Sequence, residues 1–320
     1  MKGLLRYFGT KLLGACIILF ILSFGMFVSI QRLVPGNEAN ILAGSYAATP
    51  ATVHAIEVRL GLTRPLVVQY WSWLKAIVLH GNFGTSPISG IKITHMIAQE
   101  APVSLELALF GLLIATVIGI PIGVLAGISR SQRVSVCLRI PFLVVYALPF
   151  FVIGAVLLLL SADYFHAVYA AVYVPLTTSL TGNLHSIFLP SLAVGLPVAG
   201  LLVQMTRGAV SDVLSQPHVV TGRAIGLTRR RLYGLYVLKA ALLPIISLEG
   251  FLYGILIGGV VVVEQVFSLP GLGRGLLNSI ETRDFLELEA QLIVIAAAFI
   301  VGGILADLVA PLVDRRVIRG

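Results

Sequence analysis

Six long apolar stretches dominate the sequence, and each has about the length that a helix needs to cross a lipid bilayer. They cover residues 12–31, 107–129, 140–162, 185–206, 240–263 and 290–313. The first four contain no Asp, Glu, Lys or Arg, and the last two contain one acid each, Glu249 and Asp307. Only 11% of the residues are charged, against about 25% in soluble domains. The sequence therefore predicts an all-α integral membrane protein with six transmembrane helices.

The first stretch also has the position of a secretory signal peptide. Its 20 residues exceed the roughly 7–15 residues of a signal's apolar region, and no small-residue cleavage motif follows it. We therefore expect residues 12–31 to be retained as the first span.

The positions of Lys and Arg predict the orientation of the chain, because cytoplasmic loops are enriched in both. Six spans place the two termini on the same side. The termini and the loops 130–139 and 207–239 hold 15 of the 22 basic residues, whereas the 163–185 loop holds none. Both termini are therefore expected in the cytoplasm. The net charge of +8 then reflects topology and anionic lipid, and no basic soluble face indicates nucleic-acid binding.

Three segments follow from this topology. Residues 1–31 form the N-terminal tail and first span, residues 32–98 form an external segment with short helices, and residues 99–320 form a five-helix core with the cytoplasmic loop 207–239.

The external segment carries its own helix signals. Thr49-Pro50 and Gly61 are predicted to bound one short helix, and Pro65 and His80-Gly81 a second. The aromatic residues of the second helix favour a position at the membrane interface. A cap on a pore and a contact with an external partner are the alternatives. These aromatic residues are Tyr70, Trp71 and Trp73.

Glycine and proline punctuate the spans. Gly119, Gly123 and Gly127 follow one another at four-residue spacing, as do Gly254 and Gly258. Such spacing allows close helix contact in lipid. Proline within a helix removes a hydrogen bond and favours a kink, which we expect at Pro121, Pro149, Pro197 and Pro311.

No catalytic or metal site is predicted. The sequence contains no G-x-x-x-x-G-K-[ST], H-E-x-x-H or G-x-S-x-G motif. Cys16 and Cys137 have no partner at disulfide or metal spacing and are expected to act as plain apolar residues. The acids near the spans remain as candidates. Glu249 either lines a pathway or pairs, for example with Lys239, whereas Glu264 and Asp307 are expected to reach water near the ends of their spans.

The segment between the fourth and fifth spans is the most basic run of the chain. Ser215 and Pro217 favour the start of a short helix, and Gly226 favours its end in the αL conformation. Thr228 is a suitable N-cap for a second helix over 229–239. The alternative is a charged loop that only follows the positive-inside rule, which the three arginines 229–231 fit well.

This segment resembles the cytoplasmic EAA loop of binding-protein-dependent ABC importers, and above all the permeases of the dipeptide/oligopeptide/nickel group. There the loop typically reads T-A-R-A-K-G-L, and L-L-P follows. Here residues 221–227 read TGRAIGL, and Pro244 stands eighteen residues after Gly226. The resemblance implies a coupling helix that docks on an ATPase and comprises Val219, Val220, Thr221, Gly222, Arg223, Ala224, Ile225 and Gly226.

Five further motifs resemble the same group in the same order. Residues 32–36, RLVPG, resemble R-L-x-P-G-D-P, and residues 61–70, GLTRPLVVQY, resemble G-L-D-x-P-x-x-x-Q-Y. Residues 81–86, GNFGTS, resemble G-D-L-G-x-S, residues 263–273, VEQVFSLPGLG, resemble V-E-x-V-F-x-x-P-G-L-G, and residues 314–316, DRR, resemble the closing D-P-R. The first motif marks the B-type subunit. The fourth is an external-side motif with Glu264, Phe267, Pro270, Gly271 and Gly273. The sequence departs from the pattern at Asn37, Asn82, Val220, Gly222 and Ile225.

The resemblance implies a type I ABC importer permease in a bacterial inner (plasma) membrane. Its partners would be a second homologous permease (C-type), two ATPase subunits, an extracytoplasmic substrate-binding protein and membrane lipid. ATP and Mg would bind the ATPases, so the chain itself would hold no cofactor and would not be an enzyme.

Several readings stay open. Peptide is the default substrate of the group, but nickel, glutathione and opine-like solutes use the same scaffold. A self-sufficient secondary transporter would show two related halves and a midplane ionisable site, for which only Glu249 is a candidate. A membrane-embedded enzyme would need a reactive group of residues, and none is seen.

Overall fold

The computed structural model describes residues 2–33, 49–165 and 173–313, and this part of the chain is helical throughout its regular elements. Eleven helices are labelled here in chain order. They are α1 (Lys2–Leu33), α2 (Pro50–Leu60), α3 (Leu66–His80), α4 (Ile93–Ile128), α5 (Gln132–Tyr146), α6 (Phe150–Phe165), α7 (Leu180–Leu214), α8 (Pro217–Ala224), α9 (Lys239–Phe267), α10 (Leu272–Thr282) and α11 (Phe285–Val313). Between α8 and α9 lie a short α-helical turn, Arg229–Arg231, and a π-helix, Leu232–Leu238.

Five of these helices, α1, α4, α7, α9 and α11, are long and apolar enough to cross a membrane, and α5 with α6 makes a sixth span if the bent pair is one. The third predicted span, 140–162, is therefore not one straight helix, because α5 and α6 meet at an angle of 101°. Pro149 follows the break and explains it, since a proline disfavours helical backbone at the preceding residue. The predicted all-α membrane fold is confirmed.

The chain folds as two compact units. The larger unit comprises residues 1–8, 103–269 and 298–320, and the smaller unit comprises 9–102 and 270–297. Helices α4 and α11 contribute residues to both. The predicted three-segment division of the chain stays a prediction.

In the larger unit, the glycines of α4 bring this helix into close contact with α7, as predicted. Gly119 faces Leu202, Gly123 faces Thr206 and Gly127 faces Val210. A Cβ at any of the three would lie less than 3 Å from its neighbour. The four-residue spacing therefore sets how closely α4 and α7 pack.

The second glycine pair behaves differently. A Cβ at Gly254 of α9 would overlap the ring of Phe299 on α11, whereas a Cβ at Gly258 would meet no atom within 4 Å. Gly254 is therefore a point of helix contact as predicted, and Gly258 is not one within the described residues.

In the smaller unit, the two short helices predicted between residues 49 and 81 have the predicted bounds. Thr49 caps α2 by accepting a hydrogen bond from the Thr52 amide, and Gly61 ends the helix in the αL conformation. Pro65 precedes α3, and Gly81 ends it in the same way.

Helix α3 packs on α1 through aromatic rings. Tyr70 is fully buried, its ring lies 5.1 Å from that of Phe24, and its hydroxyl lies 2.7 Å from the Ser23 hydroxyl. Trp73 faces Phe27 at 5.8 Å, whereas Trp71 stays 57% exposed. These contacts lie within the apolar stretch 12–31, so α3 packs against the first span itself rather than only marking the membrane boundary.

A polar network also holds the smaller unit together. The Gln291 side-chain amide donates to Glu100 over 3.0 Å and to Glu287 over 2.9 Å, and it accepts from Ser279 over 2.9 Å. Ser86 donates a short hydrogen bond to Asp284. Buried carboxylates are costly unless they accept hydrogen bonds, and this network supplies those bonds.

Candidate functional site

The loop between α7 and α9 contains a short helix with well-defined ends. Gln216 precedes α8, and Pro217 occupies its first position, where the missing amide hydrogen costs nothing. Gly226 has φ +82°, and the amides of Gly226 and Leu227 donate to the carbonyls of Arg223 and Gly222. This is a Schellman ending, so the predicted stop at Gly226 is confirmed. Ser215, in contrast, ends α7 rather than starting α8.

Helix α8 has one buried and one exposed side. Val219 and Gly222 are buried, and a Cβ at Gly222 would come within 3.1 Å of both Leu227 and Leu232. Val220 is 55% exposed, Ile225 at the C-cap is 72% exposed, and the residues that share this exposed side are Thr221, Arg223, Ala224 and Gly226. The exposed surface of α8 is therefore mixed apolar and cationic.

An apolar cluster anchors the buried side of α8. Val219 packs with residues from the end of α7, the π-helix and the start of α9. The buried members of this cluster are Val210, Val213, Val219, Leu232, Val237 and Ala241. Because interiors are closely packed, this cluster ties α8 to the end of α7 and the start of α9.

The stem between α8 and α9 differs from the predicted α-helix. Thr228 stands at the N-cap, but its side chain makes no capping hydrogen bond. Only Arg229–Arg231 are α-helical, and Leu232–Leu238 continue as a π-helix. Such segments are rare and often lie at functional sites. Packing of Leu232 and Val237 in the cluster below α8 accounts for the position of the wider turn.

The acid in the fifth span has a neutral partner. The Thr116 hydroxyl of α4 donates to Glu249 over 2.9 Å. Lys239 is exposed at the start of α9, so the hydrogen-bond partner of Glu249 is Thr116 rather than Lys239.

Glu264 does not reach water, contrary to the prediction. It is fully buried and accepts a 2.5 Å hydrogen bond from Ser104. The prediction relied on the position of Glu264 near the end of its span. It was wrong because the side chain points from α9 towards α4. The side chain of Asp307, and residues 314–316 and Asn37, lie outside what the structure describes.

The other residues of the external-side motif fall in both units. Phe267 is buried in the larger unit, where its ring faces Gly154. In the smaller unit Pro270 is exposed, whereas Gly271 and Gly273 are buried at the start of α10. Ser268 of the larger unit has φ +55° and ends α9.

Sequence reasoning missed a second carboxylate site. Glu106 of α4 accepts hydrogen bonds from Tyr173 over 2.8 Å and from Asn183 of α7 over 2.9 Å. Burial and the neighbouring carboxylate raise the pKa of the Tyr173 phenol above its ordinary value, so this group remains a donor. The signal available in the sequence was that Glu106 borders the apolar stretch 107–129.

Nothing in the described part of the chain resembles a metal centre or a reactive cysteine site. No group of three or more His, Cys, Asp or Glu side chains is placed there as metal ligands. Cys16 and Cys137 are both free thiols and exposed.

Comparison with known families matches almost the whole sequence. Residues 119–319 match the family described as the binding-protein-dependent transport system inner membrane component, and residues 4–105 match the corresponding N-terminal family. The matched regions include the loop with α8 and residues 32–98, and residues 106–118 of α4 lie between the two matches.

Curated relatives extend over the same length. A protein of Brucella suis named as a peptide transport system permease is 32% identical over 90% of this chain and 91% of its own. A protein of Sinorhizobium fredii named as a peptide ABC transporter permease is 30% identical over 92% and 93%. The glutathione transport system permease protein of Salmonella choleraesuis is 32% identical over 95% and 96%.

A solved structure shows the same fold. A chain of an amino acid ABC transporter crystallised with histidines matches 70% of this chain and 94% of its own length, with a TM-score of 0.50 and 16% identity. With its long apolar helices, the chain is a multi-pass inner-membrane protein. It belongs to the family of binding-protein-dependent transport system inner membrane components, the non-enzymatic permeases of ABC transporters.

Proposed function

We propose that this chain is one of the two permease subunits of an ATP-driven importer, that it forms half of the path for peptides, and that α8 receives the movement of a cytoplasmic ATPase. One observation carries the coupling role. Helix α8 exposes Val220, Arg223 and Ile225 while Val219 ties it to the ends of α7 and α9. A loop that only followed the positive-inside rule would not need a buried contact such as that of Val219 with these two helices.

The partners are a second, C-type permease, two ATPase subunits and an external substrate-binding protein. The ATPases hold ATP and Mg. Their closure moves α8, and the cluster under Val219 passes this movement to two spans. Because the ATPases bind the nucleotide, the assembled importer needs no nucleotide-binding site in this chain.

A surface for the second permease is present on α9. Its exposed or half-buried residues recur every three or four positions along one face, which is the pattern of a helix seam. They are Pro244, Leu248, Phe251, Ile255, Gly258 and Val262. The open position of Gly258, with no atom within 4 Å of an added Cβ, allows a partner helix to approach closely.

The relatives support peptides as the substrate class. Two carry names of peptide transport systems and one that of glutathione transport, and glutathione is itself a tripeptide. Nickel and opine-like solutes are the alternatives within the same class of importer.

Reconstitution tests this function. Proteoliposomes with the complete importer, the binding protein outside and ATP available to the ATPases should take up labelled di- or tripeptides, and a non-hydrolysable ATP analogue should abolish uptake. Uptake of Ni²⁺ but not of peptides would show that the chain belongs to a nickel importer. Ion-gradient-driven uptake by this chain alone would show a secondary transporter instead.

A further inference from the structure

Glu106 lies at the external end of the apolar part of α4. In the predicted topology, α4 enters the membrane from the external segment, and the apolar stretch begins at Leu107. The carboxylate is half-buried, and its two hydrogen bonds, from Tyr173 and Asn183, both end on Oε2. The two donors therefore fix the carboxylate and leave Oε1 available to another donor.

Asn183 fixes this carboxylate from the protein interior. Its side chain is fully buried, and its Nδ2 donates both to Glu106 and to the carbonyl of Val174 over 2.9 Å. Its Oδ1 is shielded from solvent and has no hydrogen-bond donor within the described residues, although buried polar atoms are nearly always paired. Asn183 therefore positions Glu106, and the open acceptor of the site is Glu106 Oε1.

The face of α4 that carries Glu106 is otherwise apolar and exposed. Leu109, Leu113 and Val117 follow Glu106 at helical spacing and are all exposed. An ionised carboxylate that faces hydrocarbon is costly, so intramembrane acids face the bundle interior or a water-filled cavity. No Lys, Arg or His in the described part of the chain forms an ion pair with Glu106. At this end of α4 the Glu106 carboxylate therefore needs water or a further donor at Oε1.

We propose that Glu106, held by Tyr173 and Asn183, binds the protonated amino group of the solute at the external mouth of the path. This rests on the proposed function, in which the solute is a peptide. Glu106 Oε1 would accept an ammonium hydrogen. Charge-assisted hydrogen bonds of this kind are stronger than neutral ones.

The donor set favours an ammonium over the other ligands. An anion would meet the carboxylate charge directly, and a divalent metal takes several anionic or imidazole ligands, whereas this site has a single carboxylate. A primary ammonium brings three donors and no acceptor, which matches the open carboxylate oxygen of Glu106. Tyr173 positions the carboxylate without reaching the ligand.

Uptake by variants gives the first test. Glu106→Gln keeps the shape and an acceptor for Tyr173, so the importer should assemble. Its peptide uptake at saturating binding protein should fall about tenfold or more, while ATP hydrolysis stimulated by the binding protein persists. Glu106→Asp should retain part of the uptake, and Glu281→Gln, which changes an exposed acid of the smaller unit, should behave as the parent. Unchanged uptake in Glu106→Gln would overturn the proposal.

Chemical protection gives a second test that does not depend on transport. A carbodiimide should label Glu106 in the purified importer without binding protein, and methylammonium or dialanine should slow the labelling. N-acetyl-dialanine at the same concentration should not. Equal labelling rates under all conditions would overturn the amine site. Protection by methylammonium in an importer that takes up no peptide would leave the site standing and refute the peptide function alone.

Discussion

At Gly123 the backbone of α4 lies directly against α7. A Cβ there would lie 2.5 Å from the Thr206 Cβ and 2.8 Å from the Val203 carbonyl oxygen. We expect Gly123→Ala to lower the stability of the purified importer by about 1–3 kcal/mol, because overpacking forces backbone shifts. The measurement is thermal unfolding in detergent. Gly208→Ala on α7, where an added Cβ meets nothing within 4 Å, is the control and should not destabilise. Equal losses in both variants would contradict the close contact.

The hydrogen bond between Thr116 and Glu249 joins α4 to α9 at membrane depth. Thr116→Val keeps the shape but removes the donor. We expect less folded protein, because leaving a buried acceptor without its hydrogen bond costs about 1–3 kcal/mol. Glu249→Gln keeps an acceptor for Thr116 and should fold, so a change in its transport per assembled importer would report a pathway role. Normal folding of Thr116→Val would show that the bond does not stabilise the span.

At the scale of elements, α8 tests the coupling function. Arg223 lies on its exposed side, and Arg230 lies in the stem. We expect Arg223→Glu to weaken ATPase docking and to reduce uptake, since reversing a charge at a protein contact is costly, whereas Arg230→Glu changes little. Co-purification of the ATPases and uptake in proteoliposomes measure both. If Arg223→Glu and Arg230→Glu behave alike and uptake persists, the charges of the loop serve only to set the membrane topology.

Gly226 sets the angle between α8 and the stem. Its φ of +82° is poorly tolerated by a β-branched residue. Gly226→Val should therefore assemble but hydrolyse ATP with several-fold less uptake per ATP. Gly208→Val is the matched control, because Gly208 lies within the α-helix α7 and has no atom within 4 Å of an added Cβ. Full coupling in Gly226→Val would show that the turn angle is not required.

The π-helix Leu232–Leu238 contains one residue more than an α-helix would need to connect its two flanking helices in the same register. Deleting Gly234 should convert Leu232–Leu238 to α-helix while the flanking elements keep their faces. We expect an assembled importer with reduced uptake, because the compliant turn between α8 and α9 is lost. Deletion of Gly258 within α9 would instead rotate the helix end by about 100° and should prevent folding. Uptake equal to the parent in the Gly234 deletion would leave the π-helix without a role.

At the scale of the whole molecule, the sequence predicts the helix ends that depend on local backbone chemistry. It does not predict the features that depend on tertiary packing. The bounds of α2, α3 and the end of α8 follow from Pro50, Gly61, Gly81 and Gly226, because these residues act through their own backbone. The burial of Glu264 and the π-helix depend on which neighbour packs on which face, as with Ser104 and the cluster below α8. Spacing along the sequence does not contain that information.

Orientation in the membrane is the last property that the sequence predicts as a whole. The asymmetry of Lys and Arg places the loop 207–239 in the cytoplasm, where α8 can meet an ATPase. In a variant whose Cys16 and Cys137 are replaced by serine, Arg231→Cys should react with an impermeant maleimide only after permeabilisation. Ile88→Cys, on the exposed turn before α4, should react in intact cells and serves as the control. Labelling of Arg231→Cys from outside would invert the topology, and the coupling role of α8 would fall with it.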